Sequence, residues 1–168
     1  MRTTEWIENK ALSFKPNSVK DLNGNDIRAF VYEWFANFEH IVDADYFLSH
    51  LDESEMEISF PEQKITNHTQ FKTWYADVQN HIPWDFHDLS NLEIVGNQEQ
   101  GFIVKFIVNW HGEVSNQTQI DGKYTDSWNL TEDSPFFHKT LRQTWQIKVQ
   151  DGVIFITNYV VEDMTPVG

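Results

Sequence analysis

Residues 141–161 read LRQTWQIKVQDGVIFITNYVV, two runs rich in β-formers joined through Gln150-Asp151-Gly152. Asp-Gly between alternating apolar residues is a strong hairpin signal, because a type I′ turn needs two residues that tolerate positive φ. With that turn setting the register, Val149 faces Ile154, Ile147 faces Ile156, Trp145 faces Asn158 and Gln143 faces Val160. One face of the ribbon is then apolar apart from two amides, Gln143 and Asn158. The other face pairs Lys148, Gln146, Thr144 and Arg142 with Phe155, Thr157, Tyr159 and Val161. The first face belongs over a core or a cavity, the second at water or a partner chain.

Upstream of the hairpin, strands are expected at about 84–95, 101–112 and 138–149, with residues 96–101 as a tight loop and a final strand at 153–162. Before the strands come helices. Asn23-Gly24-Asn25-Asp26 opens one in which Ile27, Phe30, Val31, Trp34, Phe35 and Phe38 recur at helical spacing. Asp43 is placed to cap a short second helix carrying Tyr46, Phe47, Leu48 and Leu51. A third runs from Asn67 to Asn80 with Phe71, Trp74, Tyr75 and Val78 on one face, and Pro83 ends it. Residues 52–57 read as a solvated acidic loop. Residues 113–137 form a long polar stretch with a minor turn at Asp121-Gly122, of a length that suits a lid or an interaction arm. Helices first and a long antiparallel sheet afterwards mean α+β, with the helices on one sheet face. A strongly curved antiparallel β-sheet wrapped around N-terminal helices makes a cone with an internal pocket. Residues 1–22 read as an N-terminal arm and 23–168 as a single domain.

The totals limit the function classes. A chain of 168 residues suits one domain. Its net charge of −14 argues against nucleic acid and anionic membrane surfaces, and leaves neutral or cationic small molecules open. Zero cysteines exclude disulfides, thiolate metal sites and a cysteine nucleophile. The start of the chain has no apolar signal core, so the cytoplasm is the expected location. Thirteen Phe and seven Trp fill a core quickly and also line pockets for flat organic ligands.

The order of elements and several local residues resemble the nuclear transport factor 2-like superfamily, in particular its SnoaL-like branch, over about residues 24–163. Phe30 to Asp45 is similar to that branch's first helix and the turn into its second, ending in the Asp-x-Asp of Asp43-Ala44-Asp45. His87-Asp88-Leu89-Ser90-Asn91 is similar to the His-x-x-Ser/Thr-Asn stretch of its third strand. The resemblance implies the cystatin-like cone and a homodimer through the outer sheet face, and it leaves the chemistry open. Scytalone dehydratase offers a partial match. By it, His87 and His111 stand for the two catalytic histidines and Gln143 for a substrate-binding asparagine. The acid that this enzyme carries at the end of its first helix is replaced here by His40, with Glu39 beside it.

On the strand at 101–112, Phe102, Val104, Phe106, Val108 and Trp110 share one face; Ile103, Lys105, Ile107, Asn109 and His111 share the other. If the apolar face were the core, His111 would point outward. The resemblance implies the reverse, with Lys105, Asn109 and His111 lining the pocket and the aromatic face meeting a second subunit. The expected site therefore holds His87 and His111 as catalytic groups. Lys105, Asn109, Gln143 and Asn158 provide polar contacts, and Trp34, Phe38, Trp74 and Trp145 stack on a flat substrate. His68, His81, Asp85 and His138 match no tight ligand spacing, so neither metal nor cofactor is expected. The leading function is a small-molecule pocket protein acting as a lyase or isomerase on a cyclic or aromatic compound. The alternative is a non-catalytic ligand-binding or accessory subunit of the same fold.

Overall fold

Helix α1, Gly24–Glu39, starts where Asn23 caps it. The Asn23 side chain accepts from the backbone of Asn25 and Asp26, and Asp26 returns a bond to the Asn23 N–H at 2.8 Å. That reciprocal pair satisfies helix-end N–H groups that otherwise lack partners. Asp43 caps α2, Ala44–Leu48, and Asn67 caps α3, His68–His81, by accepting from Gln70. These assignments come from a computed structural model of the chain, which describes residues 21–115, 118–120, 123–125 and 135–165. Expectations for an arm before residue 21 lie outside the described residues.

Among the described residues, eight strands follow the helices or lie between them: β1 Glu57–Ser59, β2 Lys64–Ile65, β3 Trp84–Asn97, β4 Gly101–Glu113, β5 Thr118–Ile120, β6 Lys123–Thr125, β7 Phe136–Gln150 and β8 Val153–Asp163. Six form one sheet in the order β2-β1-β8-β7-β4-β3. All its pairings are antiparallel except that of β1 with β8, which is parallel. Strands β5 and β6 pair on either side of residues 121–122, so the polar stretch contains a small hairpin of its own.

At the β7–β8 turn Asp151 and Gly152 take φ of 52° and 77°, the left-handed pair that a type I′ turn requires. Next to it Val149 pairs with Ile154 and Ile147 with Ile156, as expected. Beyond that the register shifts. Thr157 is an extra residue on β8, so Trp145 pairs with Tyr159 rather than Asn158, and Gln143 with Val161 rather than Val160. A bulge of this kind exchanges the two faces of every residue after it. Tyr159 and Val161 turn inward and are buried, while Asn158 goes to the outer face beside the exposed Gln146. The physical reason is burial: without the bulge an amide would sit in the core and a tyrosine ring outside it.

On β4 the expectation drawn from the resemblance is reversed. Phe102, Val104, Phe106 and Val108 are all buried under the helices, and Lys105 and Ile103 lie on the outer face. A wholly apolar alternating face gains more by leaving water than a mixed one, so it faces the core. Strand β3 carries its own bulge, between Ser90 and Glu93, with Asn91 at φ 54°. Asparagine tolerates that conformation well, and the bend lets the sheet curl over α1.

The core is aromatic. Trp34 of α1 is wholly buried, with its ring edge-on to Phe47 at 4.9 Å and to Trp145 at 5.8 Å. Trp145 stacks on Tyr159 at 4.8 Å. The acidic loop is tied back to the sheet: Lys148 lies 2.9 Å from Asp52 and 2.8 Å from Glu55. Its ammonium, with bonds from Ser54, holds the Asp52 carboxyl down at about 2. No helix among the described residues is long and apolar enough to cross a membrane.

Candidate functional site

A cavity of about 420 Å³ opens where α1 ends over the sheet. Phe35 and Phe38 of α1 and Trp74 of α3 form its helical side; Phe60 to Gln63 form part of its rim. The sheet contributes Asp85 and His87 from β3, Trp110 from β4, Leu141 and Gln143 from β7, and Tyr159 and Val161 from β8.

His87 is the best-held polar group on that wall. Asp85 and His87 are two residues apart on one strand, so both point inward. Strand β3 is a sheet edge, which leaves its outward N–H groups without a ladder partner. Glu39, the last residue of α1, takes one of them: its Oε1 accepts from the His87 backbone N–H at 2.6 Å. The same oxygen lies 3.3 Å from His87 Nδ1. On the other side of the ring, Nε2 is 3.6 Å from Asp85 Oδ2. Asp85 in turn accepts from Trp110 Nε1 at 3.0 Å, and the Trp110 ring lies nearly parallel to the imidazole, at 13°. One imidazole thus sits between two carboxylates, each facing a different nitrogen.

The two carboxylates differ. Burial pushes Glu39 up, but bonds from the His87 ring and backbone, with the charges of His87 and His40, outweigh it and leave Glu39 below the ordinary range. Burial pushes Asp85 above its ordinary range, and the nearby His87 charge and the Trp110 bond offset only part of that rise. A carboxyl whose folded value is raised adds stability at low pH, and that contribution is lost as pH rises through the raised value. Asp85 therefore costs the fold stability at neutral pH. Asp85→Asn, which keeps an acceptor for Trp110, is expected to raise the Tm at pH 7, and the gain should vanish below the ordinary aspartate range. A lower Tm at pH 7 would contradict this account of the site.

Gln143 is 3% exposed. Its Oε1 accepts from Trp145 Nε1 at 3.0 Å, so the amide oxygen is satisfied from behind. Tyr159 lies beside it on the next strand, and burial pushes its phenol well up, so the hydroxyl stays protonated.

Of the residues expected in the site, His87, Phe38, Trp74 and Gln143 come together on the cavity wall. Trp34 and Trp145 are wholly buried behind it and serve as core. Lys105, Asn109 and His111 lie on the outer face of β4, away from the cavity. There His111 stacks on His138 of β7 at 4.0 Å, and Asn109 accepts from Thr140 at 3.1 Å. Asn158 is on the outer face because of the Thr157 bulge. Glu39, Asp85, Trp110 and Tyr159 were not among the expected site residues. The spacing of Asp85 and His87 on a strand could have found Asp85, since i and i+2 share a face. Among the described residues no group of three or more His, Asp or Glu is arranged to hold a metal ion.

Comparison with known proteins adds the fold's relatives. No protein-family model and no curated protein matches the sequence. Solved structures do match. One, a proposed aromatic ring hydroxylase from Novosphingobium aromaticivorans, is 13% identical with a TM-score of 0.65, over 83% of this chain and 87% of that one. A proposed scytalone dehydratase from the same organism is 12% identical with a TM-score of 0.61, over 83% and 82%. A proposed dehydratase of the nuclear transport factor 2-like family from Streptomyces avermitilis is 8% identical with a TM-score of 0.58, over 79% and 90%. The helices packed inside a curled six-stranded sheet, with the pocket at the helix end, are therefore the nuclear transport factor 2-like fold.

Proposed function

We propose that this chain binds a small cyclic or aromatic molecule in the cavity and moves a proton on it with His87, as a lyase or isomerase does. The observation that carries the reading is the imidazole fixed between Glu39 and Asp85 on the wall of a cavity of about 420 Å³, a volume suited to a small organic guest. Glu39 accepts from Nδ1, which leaves Nε2 as the working nitrogen. In an elimination, Nε2 takes a proton from carbon, the electron pair becomes the new double bond, and the carbon–oxygen bond breaks. The imidazolium then gives its proton to the leaving hydroxide, releasing water. Glu39 and Asp85 stabilise the imidazolium in between. Gln143 and the protonated Tyr159 hydroxyl hold a carbonyl or hydroxyl of the substrate against the floor.

The test is proton exchange. Wild-type protein incubated in deuterium oxide with cyclic β-hydroxyketones should introduce deuterium at the carbon beside the carbonyl, or release water. His87→Ala should do neither. Exchange that is equal in both proteins would end the mechanism.

The chain is further proposed to act in the cytoplasm as a homodimer. The outer sheet face supports the pairing, since Trp84, Phe86 and Phe136 lie at one end of it with 46%, 53% and 58% of their surface exposed. Sedimentation as a dimer is the expected result; a monomer at micromolar concentration would contradict it. The same exposed rings favour a second reading, an accessory subunit that pairs through this face with a different chain and does no chemistry itself.

A further inference from the structure

We propose that the compound held in this cavity carries a positive charge, as an ammonium or quaternary ammonium group attached to an apolar ring. The inference rests on the pocket reading above and adds the charge class of the ligand.

The lining is unbalanced in charge. Four carboxylates, those of Glu62, Asp77, Asp85 and Asp163, line it against one ammonium, Lys139, and the His87 ring. Asp77 lies 3.1 Å from His81 and Asp85 3.6 Å from His87, partners that carry charge only when protonated. Lys139 lies 3.3 Å from Asp163, so these two charges answer each other, and the excess rests with Glu62, Asp77 and Asp85. Among the described residues no arginine lines the cavity, and a carboxylate or phosphate ligand would find no partner free of an acid. Carboxylates around a cleft with apolar walls focus a negative potential into it and raise the local concentration of cations. The chain's net charge of −14 acts in the same direction at longer range.

The walls supply the second requirement. Phe60 and Trp74 stack with centroids 5.2 Å apart and planes at 25°, on one side of the cavity. Trp110 stands on the sheet side. The face of an aromatic ring, indole above all, is negative and attracts a cation most strongly where water is excluded. Carboxylates alone would make only a solvated mouth, and rings alone would accept any flat apolar guest. Together they select a cation with an apolar body.

Binding to the full chain of three single-ring probes tests this, followed by tryptophan fluorescence: benzyltrimethylammonium, its neutral isostere neopentylbenzene, and the smaller anion benzoate. The cation is expected to bind about tenfold or more tighter than the isostere, with benzoate weakest. Trp74→Leu, which keeps the wall filled, should lower that preference while retaining the isostere. Equal binding of cation and isostere, or tighter binding of benzoate, would overturn the charge class and leave the pocket reading standing. Failure of all three probes to bind the wild type would overturn both.

Discussion

His87→Ala is expected to lower kcat/KM by about 10²–10⁴-fold, the usual worth of a positioned general acid–base group. The effect should fall on kcat, because a proton transfer is made in the transition state and not in the bound ground state. Glu39→Gln should reproduce part of the loss. It keeps an acceptor for the His87 backbone N–H, now 2.6 Å from Glu39 Oε1, but removes the charge that stabilises the imidazolium. The pH dependence has a definite sign. Glu39 sits below its ordinary value in the folded protein, so its contribution to stability is present above the ordinary glutamate pKa and disappears as pH falls through the lowered one. Activity should fall on the same acidic limb, and Glu39→Gln should flatten it. Turnover in His87→Ala equal to wild type would remove His87 from the chemistry.

Trp145→Ala is expected to destabilise the fold by about 3–5 kcal/mol, the range for removing a large buried aromatic side chain. Total stabilities of single domains are about 5–15 kcal/mol, so the variant should be marginal at 25 °C. The ring has no exposed surface. It stacks on Tyr159 and on Phe35 and meets Phe106 edge-on at 5.3 Å, which joins α1 to β4, β7 and β8. Its indole N–H also satisfies Gln143 Oε1. Trp145→Phe should therefore lose less packing but strand that buried oxygen, at about 1–3 kcal/mol. Urea unfolding measures both: the midpoint should fall at unchanged m-value. A midpoint within error of wild type for Trp145→Ala would contradict its place at the centre of the core.

What could be read from the residues alone follows the reach of local rules. Three helix caps at Asn23, Asp43 and Asn67, and the Asp151-Gly152 turn, are set by interactions within a few residues, and each is where its chemistry put it. The pairing of Val149 with Ile154 follows from the turn. The pairing of Trp145 does not, because one inserted residue, Thr157, changes it without a local signature. That single bulge removed Asn158 from the expected pocket and hid Tyr159.

The face of β4 is a different case. Alternation showed two faces, and burial energetics favoured the aromatic one inward; the resemblance pointed the other way. The structure follows the energetics and places His111 outside with His138. Glu39 was out of reach for another reason. Its partner His87 is 48 residues away, and only the packing of α1 on the edge strand brings them together.

The central claim is that the reacting compound meets His87 Nε2 inside the cavity. A crystal structure of the chain with a compound it turns over, or a close unreactive analogue, measures this directly. The account predicts a ring between the Trp74 and Trp110 walls, with a proton-bearing atom within about 3.2 Å of Nε2. A compound seated on the outer face near His111, with the cavity unoccupied, would contradict it.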